Sequence, residues 1–229
     1  MRLYLFDVDG TLIFAHGAGR LALTRALEDI YGTAGPADRY DSRGKTDPQI
    51  VFELMTAAGI PRAAVQTRLE DCFQIYVRHL EELIATGHPV NVMPGITEVT
   101  QALSSRSDAL VGLLTGNIER GARAKLRPTG LLPYFRIGAF GSDDADRRRL
   151  PGIARERVRA LVGSEVPFHD MVIIGDTPLD IDCARACGAV AVAVATGFHT
   201  PAELAACSPD LLFPDFSDVN AVLLSLAGG

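Results

Sequence analysis

Asp7 and Asp9, in the run Asp7-Val8-Asp9-Gly10-Thr11-Leu12, carry more chemical potential than any other pair in the sequence. They follow the apolar stretch Leu3-Tyr4-Leu5-Phe6, which reads as a buried strand. Side chains of an extended strand alternate between faces, so positions i and i+2 point the same way. The two carboxylates are therefore expected together at a strand's C-terminal end, where open α/β sheets hold their ligands. Gly10 permits a backbone turn there, and Thr11 adds a hydroxyl. Paired acids suit a divalent metal, or a nucleophile with its acid–base partner. A strand end closed by an Asp-Gly turn accounts for the same residues without chemistry, so the rest of the chain must decide.

Three further segments place polar residues where strands should end. Leu113-Leu114-Thr115-Gly116-Asn117 sets a hydroxyl and a flexible backbone at a helix N-terminus, whose free N–H groups and positive dipole end suit phosphate. Val172-Ile173-Ile174-Gly175-Asp176-Thr177-Pro178-Leu179-Asp180 adds two more acids after a strand, and Asp182 should point away from Asp180. Arg147-Arg148-Arg149, ahead of Pro151, is a basic cluster near a helix start. Each has a plainer reading: a capped helix, a turn, a solvated face. Their joint occurrence, in this order and each at a strand end, favours a single site.

The elements needed to position these residues follow from periodicity. From about Gly17 to Thr86 the apolar spacing is helical, with Leu23, Ala26, Leu27 and Ile30 marking a first helix. Ile50, Val51, Leu54 and Met55 mark a second, opened by Asp47-Pro48 as cap and first helical residue. Val65 through Leu83 mark a long third, and Tyr31 to Thr46 reads as a polar loop. From Val90 the chain alternates: strands at Ala109–Thr115, Ile137–Phe140, Met171–Gly175, Val190–Val194 and Leu211–Phe213, helices at Ile118–Arg127, Ile153–Val162, Leu179–Cys187 and Val219–Leu226. Such alternation signals a parallel sheet. The expected fold is α/β, a Rossmann-like parallel-sheet core of residues 1–15 and 88–229 with an inserted all-helical cap domain, 16–87. The crossings near Ala15-His16-Gly17 and Gly87-His88-Pro89 read as hinges of a lid.

A composition of 48% hydrophobic and 22% charged residues is that of an ordinary globular protein. A net charge of −6 argues against broad nucleic-acid or anionic-membrane binding. No apolar stretch is long enough to span a bilayer. Cys72, Cys183, Cys187 and Cys207 have no CxxC spacing and read as apolar thiols. With Met1-Arg2 leading straight into the first strand, a cytoplasmic protein is expected, a monomer or small homo-oligomer.

Taken together, the chain resembles the haloacid dehalogenase superfamily, in its phosphatase branch with a helical cap, over its whole length. Asp7-Val8-Asp9-Gly10-Thr11 resembles the family's first motif, Leu113-Leu114-Thr115-Gly116-Asn117 the second and Ile173-Ile174-Gly175-Asp176-Thr177-Pro178-Leu179-Asp180 the fourth. Met93-Pro94-Gly95 is similar to the turn that resumes the core, and Gly44-Lys45-Thr46-Asp47 to a cap-loop signature. The third motif departs from the pattern. It ordinarily offers a lysine, and none lies beyond Lys125. An arginine of the 147–149 cluster would stand there instead, with the local run favouring Arg147, which brings a planar fork in place of a compact ammonium.

The resemblance implies that Asp7 attacks phosphorus to form an aspartyl phosphate and that Asp9 protonates the leaving oxygen and then activates water. It implies Mg²⁺ held by Asp7, the Asp9 carbonyl and Asp176, with Asp180 orienting that shell and Thr11 in support. Thr115, the Gly116 amide and an arginine would hold the phosphoryl oxygens, and Asn117 would orient Asp7 or its loop. Asp9 favours ester hydrolysis over carbon–halogen cleavage, because a halide needs no proton. The implied substrate is a small phosphorylated metabolite, as for phosphoglycolate phosphatases. A phosphosugar mutase and a catalytically silent phospho-ligand-binding module are the alternatives. Specificity should lie in the cap, where His16, Arg20, Arg43, Lys45 and Thr46 could reach a substrate, as could His199 from beyond a late strand.

Overall fold

A computed structural model of the chain describes residues 1–228. The apolar opening run forms β1 (Arg2–Phe6), and the chain then turns through Gly10 into a two-residue strand, β2 (Ile13–Phe14). Three helices follow: α1 (Ala18–Tyr31), α2 (Asp47–Ala57) and α3 (Arg62–Ala85). A second short strand, β3 (Asn91–Val92), leads to α4 (Ile96–Ser104), β4 (Ala109–Thr115) and α5 (Glu119–Leu126). The remainder alternates as β5 (Ile137–Phe140), α6 (Leu150–Val162), β6 (Met171–Gly175), α7 (Pro178–Cys187), β7 (Val190–Val194), α8 (Pro201–Ala206), β8 (Leu211–Phe213) and α9 (Val219–Gly228).

Six strands form one parallel sheet in the order β5-β4-β1-β6-β7-β8. β1 lies between β4 and β6, with Phe6 in register with both Leu113 and Ile174. The segments that follow β1, β4 and β6 thus emerge side by side at one sheet edge. Strand residues alternate between two apolar layers, as the period of two requires. Tyr4, Phe6, Val111, Leu113, Val172 and Ile174 share the layer that holds α4, α9 and the inserted helices. Leu3, Leu5, Leu110, Met171 and Ile173 share the layer of α6 and α7. The α/β reading and the inserted helical block agree with this architecture.

Several local details differ from the sequence expectation. The crossings are not bare hinges, because β2 and β3 pair antiparallel, Ile13 with Val92 and Phe14 with Asn91. His88 Nε2 lies 3.0 Å from the His16 carbonyl, and His16 Nε2 lies 2.7 Å from Asn91 Oδ1. These contacts hold His16 at φ 46°, a conformation uncommon for a residue with a Cβ. Helix α2 is capped by Thr46 rather than Asp47: the Thr46 hydroxyl accepts from the Gln49 N–H at 3.3 Å. The short helices α4 and α8 carry too few residues to show a clear period beforehand, although Thr200-Pro201 with Glu203 forms a capping box.

Residues 44–47 of the helical insert bond to the backbone of the segments that follow β4 and β5. Asp47 N–H donates to the Gly116 carbonyl at 2.7 Å, and the Thr46 hydroxyl donates to the Ala145 carbonyl at 2.7 Å. A Cβ on Gly116 would run into the carbonyl of Lys45, so glycine is what lets the two backbones meet. Gly116→Ala is therefore expected to lower the unfolding free energy by about 1–3 kcal/mol, the usual scale for forced overpacking. Urea denaturation followed by circular dichroism measures it, and an unchanged midpoint would mean the seam is slack.

Candidate active site

Asp7 leaves β1 with its N–H donating to the Ile174 carbonyl of β6 at 2.9 Å. Its carboxylate Oδ1 is 3.2 Å from Nη2 of Arg147, which also pairs with Asp180, while Nη1 donates to the Gly44 carbonyl at 3.0 Å. The three consecutive arginines have different fates. Asp146 caps their single helical turn by accepting from the Arg148 N–H, and the turn directs Arg147 inward. Arg147 is 6% exposed, with its Nε buried and unpartnered. Arg148 pairs with Asp182 at 2.7 Å and Arg149 with Asp144 at 3.3 Å, both at the surface. Asp182 does point away from Asp180.

Asp9 has a cation of its own. β1 ends at Phe6, so strand alternation does not govern the two acids, and they diverge to different partners. Asp9 Oδ2 accepts from Lys125 Nζ at 2.6 Å and from Asn117 Nδ2 at 2.8 Å. Lys125 also donates to Asn117 Oδ1 at 2.6 Å. Asn117 therefore orients Asp9, not Asp7: its amide is turned by the lysine, and its Nδ2 also donates to the Thr115 hydroxyl at 2.9 Å. Lys125, 4% exposed, is the residue that sequence reasoning passed over. Its signal was positional, since Lys125 shares a helix face with Ile118, Gly121 and Ala122, the buried side of α5.

Asp7, Asp176 and Asp180 are all buried and offer carboxylate oxygens within 4.8 Å of one another. Asp180 is largely used, accepting from Arg147, from the Thr177 N–H at 3.0 Å and from the Thr177 hydroxyl at 2.6 Å. Asp176 receives only the Thr11 hydroxyl, at 3.2 Å, among the contacts described. A Cβ on Gly10 or on Gly197 would collide with the Asp176 carboxylate, so glycines cradle it closely. Burial raises Asp7 to about 6, partly offset by Arg147, with Asp180 and Asp9 adding repulsion. Burial and the neighbouring Asp180 and Asp7 charges raise Asp176 well above the usual carboxylate range. This all-oxygen set of under-compensated acids fits a hard divalent cation, which would relieve both effects.

Thr115 ends β4 in contact with this centre, and its hydroxyl favours the ionised form of Asp7. The expectation that the following helix offers several free N–H groups needs correction. The Asn117 N–H donates to Thr115 Oγ1 at 3.3 Å, Ile118 to Asp47 Oδ2 at 2.8 Å and Glu119 to Ser142 Oγ at 3.2 Å. The helix start is thus consumed by side chains, and the Gly116 amide is the group just ahead of that set.

The site opens into a cavity of about 480 Å³ between the sheet edge and the inserted helices. His16, Arg20, Arg43 and Lys45 all line it. Thr46 is buried at the seam and faces Ala145, and His199 lies 3.9 Å from Glu203, outside the lining. Asp47, expected as a helix cap and as the last residue of the cap-loop signature, lines the cavity too.

Burial raises Asp47 to about 6, with Lys125 and the Ile118 N–H acting in the opposite direction. A carboxyl raised above its ordinary value of 3.8 binds its proton more tightly in the native state. The stability it contributes is present below that ordinary value and is lost as pH rises through about 6. Asp47→Asn keeps an acceptor for Ile118 and removes the titration. In chelator-treated protein, the variant should gain on the native chain by on the order of 2 kcal/mol between pH 4 and pH 7. Urea titrations at both pH values measure this, and a pH-independent difference would refute it.

The family model of the haloacid dehalogenase-like hydrolases matches residues 1–188. A phosphoglycolate phosphatase of Synechococcus elongatus is 27% identical over 99% of this chain and 99% of its own length. "Probable phosphatase IndB" of Dickeya dadantii is 26% identical over 95% of this chain and 91% of its own. The crystal structure of a hydrolase from Pseudomonas syringae shares the fold with a TM-score of 0.74, at 20% identity and 99% coverage of both chains. With the three motif segments meeting at one sheet edge around Asp7, and the family match spanning most of the sequence, this chain belongs to the haloacid dehalogenase-like hydrolases.

Proposed function

We propose that the protein is a Mg²⁺-dependent phosphatase that hydrolyses small phosphate monoesters through an aspartyl-phosphate intermediate. One observation carries the reading. Two acids two residues apart face one cavity, Asp7 beside a buried arginine and an open acidic set, Asp9 beside a buried lysine. The phosphatase names of the relatives support the same class.

In this reading Asp7 attacks phosphorus, and the alcohol oxygen leaves with a proton from Asp9. Asp9 then takes a proton from the water that cleaves the acyl phosphate, which returns Asp7 to its carboxylate. Arg147, Thr115 and the Gly116 amide hold the equatorial oxygens, where charge develops during transfer. Arg147 Nε, buried without a partner, suits that duty. Asp7, the Asp9 carbonyl and Asp176 would hold Mg²⁺, while Asp180 fixes Arg147 and caps α7. Bound Mg²⁺ supplies positive charge that neutralises phosphoryl oxygens and acidic neighbours. Residues 16–87 act as the cap over the leaving group, and residues 1–15 and 88–229 as the catalytic core.

Asp7→Asn should abolish phosphate release from a panel of monoesters while leaving the circular dichroism spectrum intact; a variant that still turns over would remove Asp7 as nucleophile. Arg147→Ala is expected to lower kcat about 100-fold or more, the scale of losing one oxyanion partner. Arg148→Ala and Arg149→Ala should stay near the native rate, and three equal small losses would sink the assignment. Chelation should stop turnover and Mg²⁺ restore it; activity in excess chelator would exclude the metal role.

Lys125 acts through Asp9, and its effect should depend on the leaving group. Lys125→Met is expected to lower kcat on an alkyl phosphate about 100-fold, within the range for lost acid catalysis. The initial burst of nitrophenol from 4-nitrophenyl phosphate should survive, because that leaving group needs little protonation. Equal loss of the burst would mean that Lys125 serves folding alone.

A further inference from the structure

The cavity beyond the acidic centre has a chemical character that the names of the relatives do not suggest. Leu23 and Leu27 of α1, Ile50 and Leu54 of α2 and Tyr76 of α3 border it, each at most 8% exposed, while Phe14 and Phe198 present open apolar surface to it. At its mouth Phe14 and Phe198 lie with ring centroids 5.8 Å apart, and Phe198 is 67% exposed. An exposed phenylalanine beside a site mouth is an apolar contact surface rather than a core residue.

The cations lining the cavity are mostly committed elsewhere. Arg43 holds Asp41 with a bidentate pair at 2.8 and 2.7 Å. Lys45 donates to Glu53 at 2.7 Å and lies 4.4 Å from the Tyr40 ring centroid. Lys125 is occupied by Asp9, and Arg147 by Asp7 and Asp180. Arg20 donates to the carbonyls of Ala37 and Asp38, at 2.7 and 3.0 Å. Asp41 and Asp47 add negative charge to the same lining. A carboxylate on the leaving group could reach only Arg20 without breaking an ion pair, and there it would compete with two backbone carbonyls; elsewhere it would break a pair or lie unpaired against leucine, and each of these costs free energy. An uncharged hydrocarbon body would gain from the wall in proportion to the area it covers.

We propose that the preferred substrate is a phosphate monoester of an uncharged, apolar-bodied alcohol, aryl or alkyl, larger than a two-carbon acid. This rests on the phosphatase reading above and specifies what the cap accepts. In the reaction the phosphorus–ester oxygen bond breaks and a phosphorus–oxygen bond to Asp7 forms. The alcohol leaves carrying one proton from Asp9, and water then breaks the acyl phosphate and restores that proton. The net change is ester plus water to alcohol plus inorganic phosphate. A cavity of about 480 Å³ lies within the usual range for small-molecule sites.

The test uses the full chain with Mg²⁺ and four substrates: the esters benzyl phosphate, 2-phosphoglycolate and 2-hydroxyethyl phosphate, and the acyl phosphate acetyl phosphate. Benzyl phosphate should exceed 2-phosphoglycolate at least tenfold in kcat/KM, with most of the difference in KM, and 2-hydroxyethyl phosphate should fall between them. Phe198→Ala should raise KM for benzyl phosphate severalfold and move the phosphoglycolate value less. Turnover of acetyl phosphate with phosphoglycolate equal to or better than benzyl phosphate overturns this proposal and leaves the phosphatase reading standing. If phosphoglycolate wins and Arg20→Ala removes that advantage, Arg20 is the carboxylate receptor, and the apolar reading fails for that reason. No turnover of any of the four, acetyl phosphate included, overturns the phosphatase reading and this proposal with it.

Discussion

Arg147 sits between Asp7 and Asp180, and Lys125 sits between Asp9 and Asn117, so two buried cations divide the acidic end of the sheet into two compartments. Asp7, Asp47, Asp176 and Asp180 are buried, and Asp9 is partly so. Two cations cannot balance that many carboxylates, and burial leaves the remainder raised. The rest of the site can be read as the means of tolerating this imbalance. Thr11 and Thr177 donate hydroxyls, glycines admit the carboxylates closely, and the Ile118 N–H answers Asp47. Such an arrangement is costly unless a ligand of positive charge completes it.

The division also separates two chemical tasks that adjacent positions in sequence would seem to merge. Asp7 faces a planar guanidinium with permanent charge and a geometry suited to phosphoryl oxygens. Asp9 faces a single ammonium, itself hemmed in by Gly19 of α1, so the helical insert limits how far that lysine can retreat. The insert therefore touches the surroundings of Asp9 through packing on Lys125, and those of Asp7 through the carbonyl of Gly44 on Arg147.

Much of the architecture was legible in advance because it rests on periodicity. The five longer strands after the insert and the large helices carry enough apolar repeats to declare themselves, and Asp7, Thr115 and Asp176 stand at strand ends where topology must bring them together, with Asp180 in the first turn of the helix that follows. What escaped was set by tertiary contact. Strand alternation predicted a shared face for Asp7 and Asp9; β1 stops at Phe6, and although both acids line one cavity, each takes a cation of its own. Asn117, expected on Asp7 or its loop, bonds Asp9 of that loop, and nothing local shows that Lys125, eight residues on, would rotate its amide. Lys125 itself was visible as a lysine on an apolar face, an inconsistency of the kind that marks a functional position.

The paired strands β2 and β3 give the helical insert an unusual standing in the chain. It departs after Phe14 and returns at Asn91, and those two residues face each other across the ribbon. To the sheet, everything between them is a closed excursion whose ends are already tied, so its size adds only a slowly growing chain-closure entropy. A different block of helices, or a shorter loop, could occupy the same gap with the strand order and the carboxylates of Asp7, Asp9, Asp176 and Asp180 left in place. The ribbon is in that sense a socket: it lets the chemistry of the sheet edge and the shape above it change on independent histories.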